Sequence, residues 1–430
     1  MRMARRTEDG ETYRAAGVVS GRGGVVPGQD RVVPGRGDGA PEQGRVAPGR
    51  GGMAPGRGDI APGQGGIAPG QGGVAPELDS LAADLRVSAE PSIAAAATKA
   101  IAIWRRPPRI RVTGRARTGK STLIRALALM SAEETAPVDE PGAPDPDLGG
   151  DLVLYVLTGT PQPADRRILA ALPPERVLAV LNKADAIGTR WSDAVAAAEQ
   201  YSHDLRVPVL PVTAELAAHT RGGIPSDDDL RTLRRHRDRA GTAFTLSPEL
   251  FTSATAGPDT AERAAVLERW GLHGVAVASI ALRHEPDLNP RSLLQLLHAA
   301  SGIDAVHLHL HRRYERLADR RGGELLDELT RLAARAVRTA DGSRDRIEDY
   351  LTGPEAARLG VRAGQAHPGI AHLATGYAAI APDDPDEALA RAQRWRAVAC
   401  GDLPASARRA ALRVHHGYVR LWEQLTHAGL

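Results

Sequence analysis

Cysteine is almost missing from this chain of 430 residues. Cys400 stands alone, so no intramolecular disulfide can form, and the composition suits a reducing cytoplasm. Phenylalanine is nearly as scarce, with only Phe244 and Phe251, and aromatics make up 3% of the residues. Cores must therefore be built from Leu, Val, Ile and Ala. Acidic and basic residues nearly cancel, leaving a formal net charge of +3. That balance lacks the strong basic field of a nucleic-acid binder, and no specific nucleic acid is expected. Residues 1–6 are basic, but no apolar stretch follows them, so no secretory signal is expected. The longest weakly polar run, residues 271–282, reads as too short to span a bilayer. The expectation is a cytoplasmic protein, at most peripheral at a membrane.

Two other shortages point at chemistry. Only Lys99, Lys120 and Lys183 are lysines among 55 lysines and arginines. A chain that uses arginine almost everywhere keeps lysine where a compact ammonium on a thin stem is needed. Asparagine occurs twice, at Asn182 and Asn289. Lys120, Asn182 and Lys183 all fall in short motifs.

The first motif is Gly114-Arg115-Ala116-Arg117-Thr118-Gly119-Lys120-Ser121, which fits the phosphate-loop pattern G-x-x-x-x-G-K-[ST] at every specified position. The β-branched run 109–113 precedes it and reads as a strand; residues 122–130, starting at Thr122, read as a helix. A strand, a glycine loop and a helix start together aim backbone N–H groups at an anion. Gly114 and Gly119 permit the sharp turn and the close approach. Lys120 is placed to reach terminal phosphates, and the Ser121 hydroxyl to ligate magnesium.

Apolar runs at 151–157, 177–181 and 207–212 read as buried strands, with helical stretches 164–172 and 192–203 between them. This alternation predicts a three-layer α/β domain with a mostly parallel sheet over residues 107–215. The second motif, Asn182-Lys183-Ala184-Asp185, follows one of these strands at its carboxyl end, where open α/β sheets bind ligands. A carboxylate such as Asp185 accepts two hydrogen bonds at once, and guanine offers two adjacent donors where adenine offers none. The Lys183 stem can lie along the face of the base.

With both motifs in register, residues 107–215 resemble the P-loop GTPases of the translation-factor-like class, especially their Era-like and bacterial dynamin-like branches. The resemblance implies a GTP- and GDP-binding protein that uses Mg²⁺. It implies that Gly114 to Thr122 cradle phosphates and that Asn182, Lys183 and Asp185 read guanine. That family also carries a short Ser/Thr-Ala motif whose backbone touches the base, and Thr213-Ala214 stands in its place. The family's aspartate–x–x–glycine motif, which senses the terminal phosphate, is best matched by Asp139-Glu140-Pro141-Gly142. On this resemblance Asp139 is a magnesium and catalytic residue, Gly142 binds the phosphate, and Lys120 is catalytic. Asp147-Leu148-Gly149-Gly150 also fits the letters but abuts the strand at Asp151. The helical half, with Glu268-Arg269-Trp270-Gly271 and Ser301-Gly302-Ile303-Asp304, is more loosely similar to actinobacterial dynamin-like proteins.

Residues 122–151 leave no room for a full switch loop, so the switch region reads as truncated, with its strand at 136–138. Thr135 is the one nearby candidate for the family's metal-binding threonine, and it reads more simply as an ordinary linker residue. No glutamine or histidine follows Gly142 to position water. Hydrolysis is therefore expected to be slow, absent or assisted by a partner. The competing reading is a nucleotide-stabilised interaction protein without turnover; Asn182-Lys183-Ala184-Asp185 disfavours an ATP-using enzyme.

Around this domain the chain changes character. Within residues 1–77 prolines recur with a period of seven from Pro27 to Pro76, in units such as Ala-Pro-Gly-Gln-Gly-Gly. Such repeats form transient turns and bury no core, so a disordered tail is expected. Residues 78–106 read as a helical collar. Residues 216–430 read as mainly helical, with segments 259–270, 271–284, 290–314, 324–336, 344–351, 386–399 and 405–425. This half is the expected surface for a protein partner or self-association. Arg312-Arg313 and Arg320-Arg321 read as solvated charge, with acidic lipid a lesser use. His307, His309 and His311 read as a solvated helical face; a metal site needs more ligands.

Overall fold

The computed structural model describes residues 75–239, 247–338, 341–374 and 382–428. Of the expected tail, 1–77, residues 1–74 lie outside the described residues, whereas Pro76 and Glu77 already belong to a helix. All described residues belong to one compact unit.

Two amino-terminal helices, α1 (Pro76–Ser88) and α2 (Pro91–Arg105), lead into the alternating region. There β1 (Ile110–Gly114) is followed by α3 (Lys120–Leu127), the short β2 (Glu133–Glu134) and β3 (Leu152–Leu157). The chain continues through α4 (Pro163–Ala170), β4 (Val177–Asn182), α5 (Trp191–Leu205) and β5 (Val209–Val212). Every pairing is parallel, in the order β2-β1-β3-β4-β5.

The strands alternate their side chains between two cores, as the pleat requires. Val112, Leu154, Val156, Leu178 and Val180 face Leu123 and Leu127 of α3. Val153, Tyr155, Leu157, Ala179 and Leu181 face Ile168, Leu169 and Ala198 on α4 and α5. Both faces of the sheet are thus covered by helices, which is why its strands read as unbroken apolar runs.

The rest of the chain is helical: α6 (Ala214–Thr220), α7 (Asp227–His236), α8 (Pro248–Thr252), α9 (Thr260–His284), α10 (Pro290–Ala300) and α11 (Ile303–Arg335). Then come α12 (Ser343–Thr352), α13 (Pro354–Gln365), α14 (Pro385–Cys400) and α15 (Ala405–Ala428). Helix α9 breaks its helical geometry at Gly271 (φ 64°, ψ 173°), the position where the sequence reading divides it. The weakly polar run at 271–282 is thus the segment that follows the break. Among the described residues α9 is the one helix long and apolar enough to cross a membrane by length and composition. Val266, Trp270, Val275, Ala278 and Leu282 of this helix pack against Leu230, Leu233, Phe251, Leu293 and Leu297.

Helix α11 is the main departure from the sequence reading, which breaks it between residues 314 and 324. Its 33 residues span about 50 Å at 1.5 Å per residue. Ile303, Val306 and Leu310 at its start pack on the sheet beside α3. Leu325, Leu329 and Leu332 near its end pack with α1, α2, α12 and α13. The expected collar is therefore part of the carboxyl-terminal helical core. Glu355 fixes it there: its carboxylate accepts the Glu77 and Leu78 N–H groups at 3.1 and 3.2 Å, capping α1. The arginine pairs are also corrected. Arg321 is buried and meets the Asp151 carboxylate at 2.7 Å, and Arg313 Nε donates to the Val177 carbonyl at 3.0 Å. One member of each pair thus joins the helix to the sheet.

Candidate functional site

Three loops meet at the carboxyl ends of β1, β4 and β5. The first connects β1 to α3. Gly114 has φ +147° and Gly119 φ +88°, and Arg117 between them also has positive φ. A Cβ at Gly114 would lie 2.4 Å from the Val156 carbonyl oxygen, so only glycine fits against β3 there. Among the described residues the backbone N–H groups of Arg117, Thr118 and Gly119 make no hydrogen bond. The first turn of α3 adds N–H groups that have no partner within the helix, and the loop presents them together. This is anion-binding geometry.

Lys120 folds back under the loop. It is 5% exposed, and its Nζ donates to the Arg115 carbonyl at 3.2 Å and lies 3.4 Å from that of Gly114. The Thr118 hydroxyl donates to the Arg115 carbonyl at 3.0 Å, closing the loop from inside. Ser121 is exposed, and its Oγ donates to Glu134 Oε2 at 2.6 Å. Lys120 Nζ lies 3.8 Å from the other oxygen of Glu134. Thr122 follows within the first turn of α3.

The second loop follows β4. Asn182 is 3% exposed and spans the other two loops: its Nδ2 donates to the Thr118 carbonyl at 2.8 Å, and its Oδ1 accepts the Ala214 N–H at 3.1 Å. Lys183, in the left-handed region at φ 58°, lays its side chain over the glycine loop and donates to the Arg117 carbonyl at 3.2 Å. Asp185 is exposed and accepts the Thr213 hydroxyl at 3.3 Å. The third loop, Thr213-Ala214, begins α6 and is anchored from behind, where the Thr213 N–H donates to the Ser301 carbonyl at 2.9 Å. The turn between α10 and α11 is thereby tied to this loop.

The acidic residues sort by position. Asp139 is beside the glycine loop, its Oδ1 accepting the Ala116 N–H at 2.8 Å. The short strand leading to it pairs with β1 at Glu133–Glu134, earlier than the expected 136–138, and continues with Val138 N–H donating to the Gly114 carbonyl at 3.3 Å. Asp147 lies at the opposite end of the sheet, 3.9 Å from Arg111 of β1, and so takes no part. Gly142 is exposed at φ 76°, with nothing within 4 Å of where its Cβ would be. The carboxylate at Ser121 is Glu134, which the sequence reading misses. Its only signal was an acidic pair just after α3.

Arg115 points away from the loop opening. Its Nε meets Asp165 Oδ2 at 3.0 Å and its Nη2 donates to the Thr158 carbonyl at 3.0 Å. Asp165 is fully buried and also accepts the Tyr155 hydroxyl at 2.8 Å. Burial and the neighbouring Asp165 charge push the Tyr155 hydroxyl well above the ordinary tyrosine range, so it stays a donor. Thr135 is also engaged, donating to the Thr113 hydroxyl at 2.7 Å. Among the described residues no group of three or more His, Cys, Asp or Glu side chains is arranged to hold a metal ion. That includes His307, His309 and His311; His311 instead pairs with Glu315 at 3.2 Å.

Comparison of the chain with known protein families, with curated proteins and with solved structures returns no match.

Proposed function

We propose that this chain is a guanine-nucleotide-binding protein with a P-loop GTPase domain that carries a truncated switch region. The observation that carries the reading is Asn182. One buried amide joins the glycine loop, through Thr118, to the loop at Ala214. A phosphate-binding loop and two candidate base-binding loops thus form one wall, as a nucleotide lying across them requires. Gly114 to Thr122 would hold the phosphates, with Lys120 as their counter-charge. Lys183, Asp185, Thr213 and Ala214 would enclose the base. The Ser121 hydroxyl beside a carboxylate suits Mg²⁺, whose remaining ligands come from phosphate oxygens and water. Bound there, the ion would neutralise phosphate charge.

A second reading, binding with little turnover, is favoured by the connection between α3 and β2. It consists of residues 128–132 alone, with no loop that could fold over a terminal phosphate. Thr135 beyond it is held within the sheet by Thr113. Nucleotide state would then be read by a protein partner or a second copy through the helical half, with α11 as the continuous link. The deciding experiment is competition among GTP, GDP and ATP for the full chain, with Lys120→Ala as control. Guanine-selective binding that is lost in Lys120→Ala supports the proposal; equal affinity for ATP, or unchanged binding by the variant, overturns it.

A further inference from the structure

The carboxylate beside the Ser121 hydroxyl comes from the edge strand and not from the aspartate expected to serve the metal. We propose that Glu134, and not Asp139, is the positioning residue that couples a divalent cation to nucleotide affinity, an inference that rests on the nucleotide-binding reading above.

A serine hydroxyl has one proton and two lone pairs. In this structure the proton is committed, because Ser121 Oγ donates to Glu134 Oε2 at 2.6 Å. Its lone pairs are left for a hard cation, the relation by which an outer carboxylate orients a ligand. The choice of glutamate follows from register. Glu134 pairs with Val112, two residues short of Gly114, where β1 ends. At about 3.3 Å per residue, a carboxylate there starts some way below the loop, and the extra methylene of glutamate helps it reach Ser121. Asp139 Oδ1 instead holds the Ala116 N–H at 2.8 Å, and the Ser121 hydroxyl bonds to Glu134 and not to Asp139. It shapes the loop.

Electrostatics separates this role from a merely structural one. Glu134 Oε1 lies 3.8 Å from Lys120 Nζ, beside the space where an anion would sit. Without a cation, that negative charge repels phosphate and competes for the lysine. With a cation bound at Ser121, the same charge attracts the ion and strengthens the complex. Glu134→Gln keeps the shape and removes the charge, so its effect must change sign with the metal. The side chain is 37% exposed on a strand of two residues, so the fold tolerates the change.

The experiment measures GTP affinity of the full-length wild type, Glu134→Gln and Asp139→Asn, in millimolar Mg²⁺ and again in excess chelator. Glu134→Gln is expected to bind about 10- to 100-fold more weakly than wild type in Mg²⁺, the usual cost of losing an outer-shell partner. In chelator it is expected to bind more tightly than wild type. Asp139→Asn is expected to shift affinity by the same factor in both media. A Glu134→Gln protein with the wild-type ratio between media, or one weakened equally in both, overturns the inference while leaving guanine binding intact. So does an Asp139→Asn protein that loses its response to Mg²⁺. Failure of the wild type to bind GTP in either medium overturns the nucleotide-binding reading and this inference with it.

Discussion

Gly119 and Asn182 are in such close contact that a Cβ on Gly119 would lie 2.4 Å from Asn182 Nδ2. Gly119 also sits at φ +88°, which an L side chain rarely adopts. The two constraints are independent, and both act where the glycine loop meets the loop after β4. Gly119→Ala should therefore lose about 1–2 kcal/mol to backbone strain alone, with further loss as the Asn182 amide is pushed from the Thr118 carbonyl. Thermal unfolding and GTP titration check this, and a variant matching wild type in both would show that the contact is dispensable.

Asn182 itself allows a sharper test. Asn182→Asp keeps an oxygen for the Ala214 N–H but sets a second acceptor against the Thr118 carbonyl. Asn182→Ala leaves both partners unpaired, at about 1–3 kcal/mol for each buried group. The aspartate variant should be at least as damaged as the alanine variant, because a buried charge replaces a donor. Urea unfolding of the two variants ranks them; a milder aspartate variant would mean the Nδ2 bond contributes little.

Turnover by the isolated protein should be slow, at or below about 10⁻⁴ s⁻¹, the order expected of an unassisted small GTPase. Arg115 is not available to speed it, since buried Asp165 and the Thr158 carbonyl hold its guanidinium. Arg115→Ala is accordingly expected to lower stability, without the large loss of turnover that removing a catalytic arginine would bring. A phosphate-release assay showing fast multiple turnover that falls in Arg115→Ala would reverse this assignment.

Legibility followed burial. The strands β3 and β4 are buried on both faces, so their apolar runs announced them, and the motifs at their carboxyl ends could be located with them. The edge strand is two exposed glutamates, which carry no pattern, and its acidic side chain at Ser121 went unseen with it. The sequence reading breaks α11 between residues 314 and 324, yet Gly322 and Gly323 lie inside the helix. They serve close packing instead: a Cβ at Gly322 would fall 2.4 Å from Leu359 Cδ1, and one at Gly323 would fall 2.7 Å from Arg413 Nη1. Helix α13 is absent from the sequence segments. Its Gly364 lies against α15, with 2.7 Å from its Cβ position to the Ala410 carbonyl. Tertiary contact, invisible to local propensity, decides these two helices.

Acid should act through Asp259. It is buried and meets His236 Nε2 at 2.7 Å and Arg263 Nε at 3.1 Å, with Arg235 paired to it as well. Burial alone would raise its carboxyl, but the bonds from His236 and Arg235 outweigh that and hold it well below the ordinary carboxylate range. Its folded value is lower than its unfolded one, so its contribution is present above about pH 4 and is lost as pH falls further. Asp259→Asn should therefore cost more stability at pH 7 than at pH 3. Denaturant unfolding of both proteins at both values checks this, and an equal cost at the two would remove the assignment.

Base recognition can be tested by exchanging one atom on each side of a pair of hydrogen bonds. Asp185 as a carboxylate only accepts, which suits the ring N–H and exocyclic amine of guanine. Xanthine carries an oxygen in place of that amine, and this oxygen would face the carboxylate unfavourably. Asp185→Asn supplies an amide that donates to the oxygen while its carbonyl still accepts from the ring N–H. The exchange should spare the local structure, because the Thr213 hydroxyl, now 3.3 Å from Asp185 Oδ1, can donate to the new carbonyl as well. Asp185 is exposed, so the protein core does not depend on it. A site built to bond one partner rejects the analogue that leaves its polar groups unpaired by a factor of about 10⁴. The variant is therefore expected to lose GTP and gain XTP, with a reversal of that order. Titration of both nucleotides against wild type and variant, with magnesium present, reads it directly. If Asp185→Asn binds GTP as tightly as wild type does, Asp185 does not read the base, and the guanine assignment loses its chemical ground.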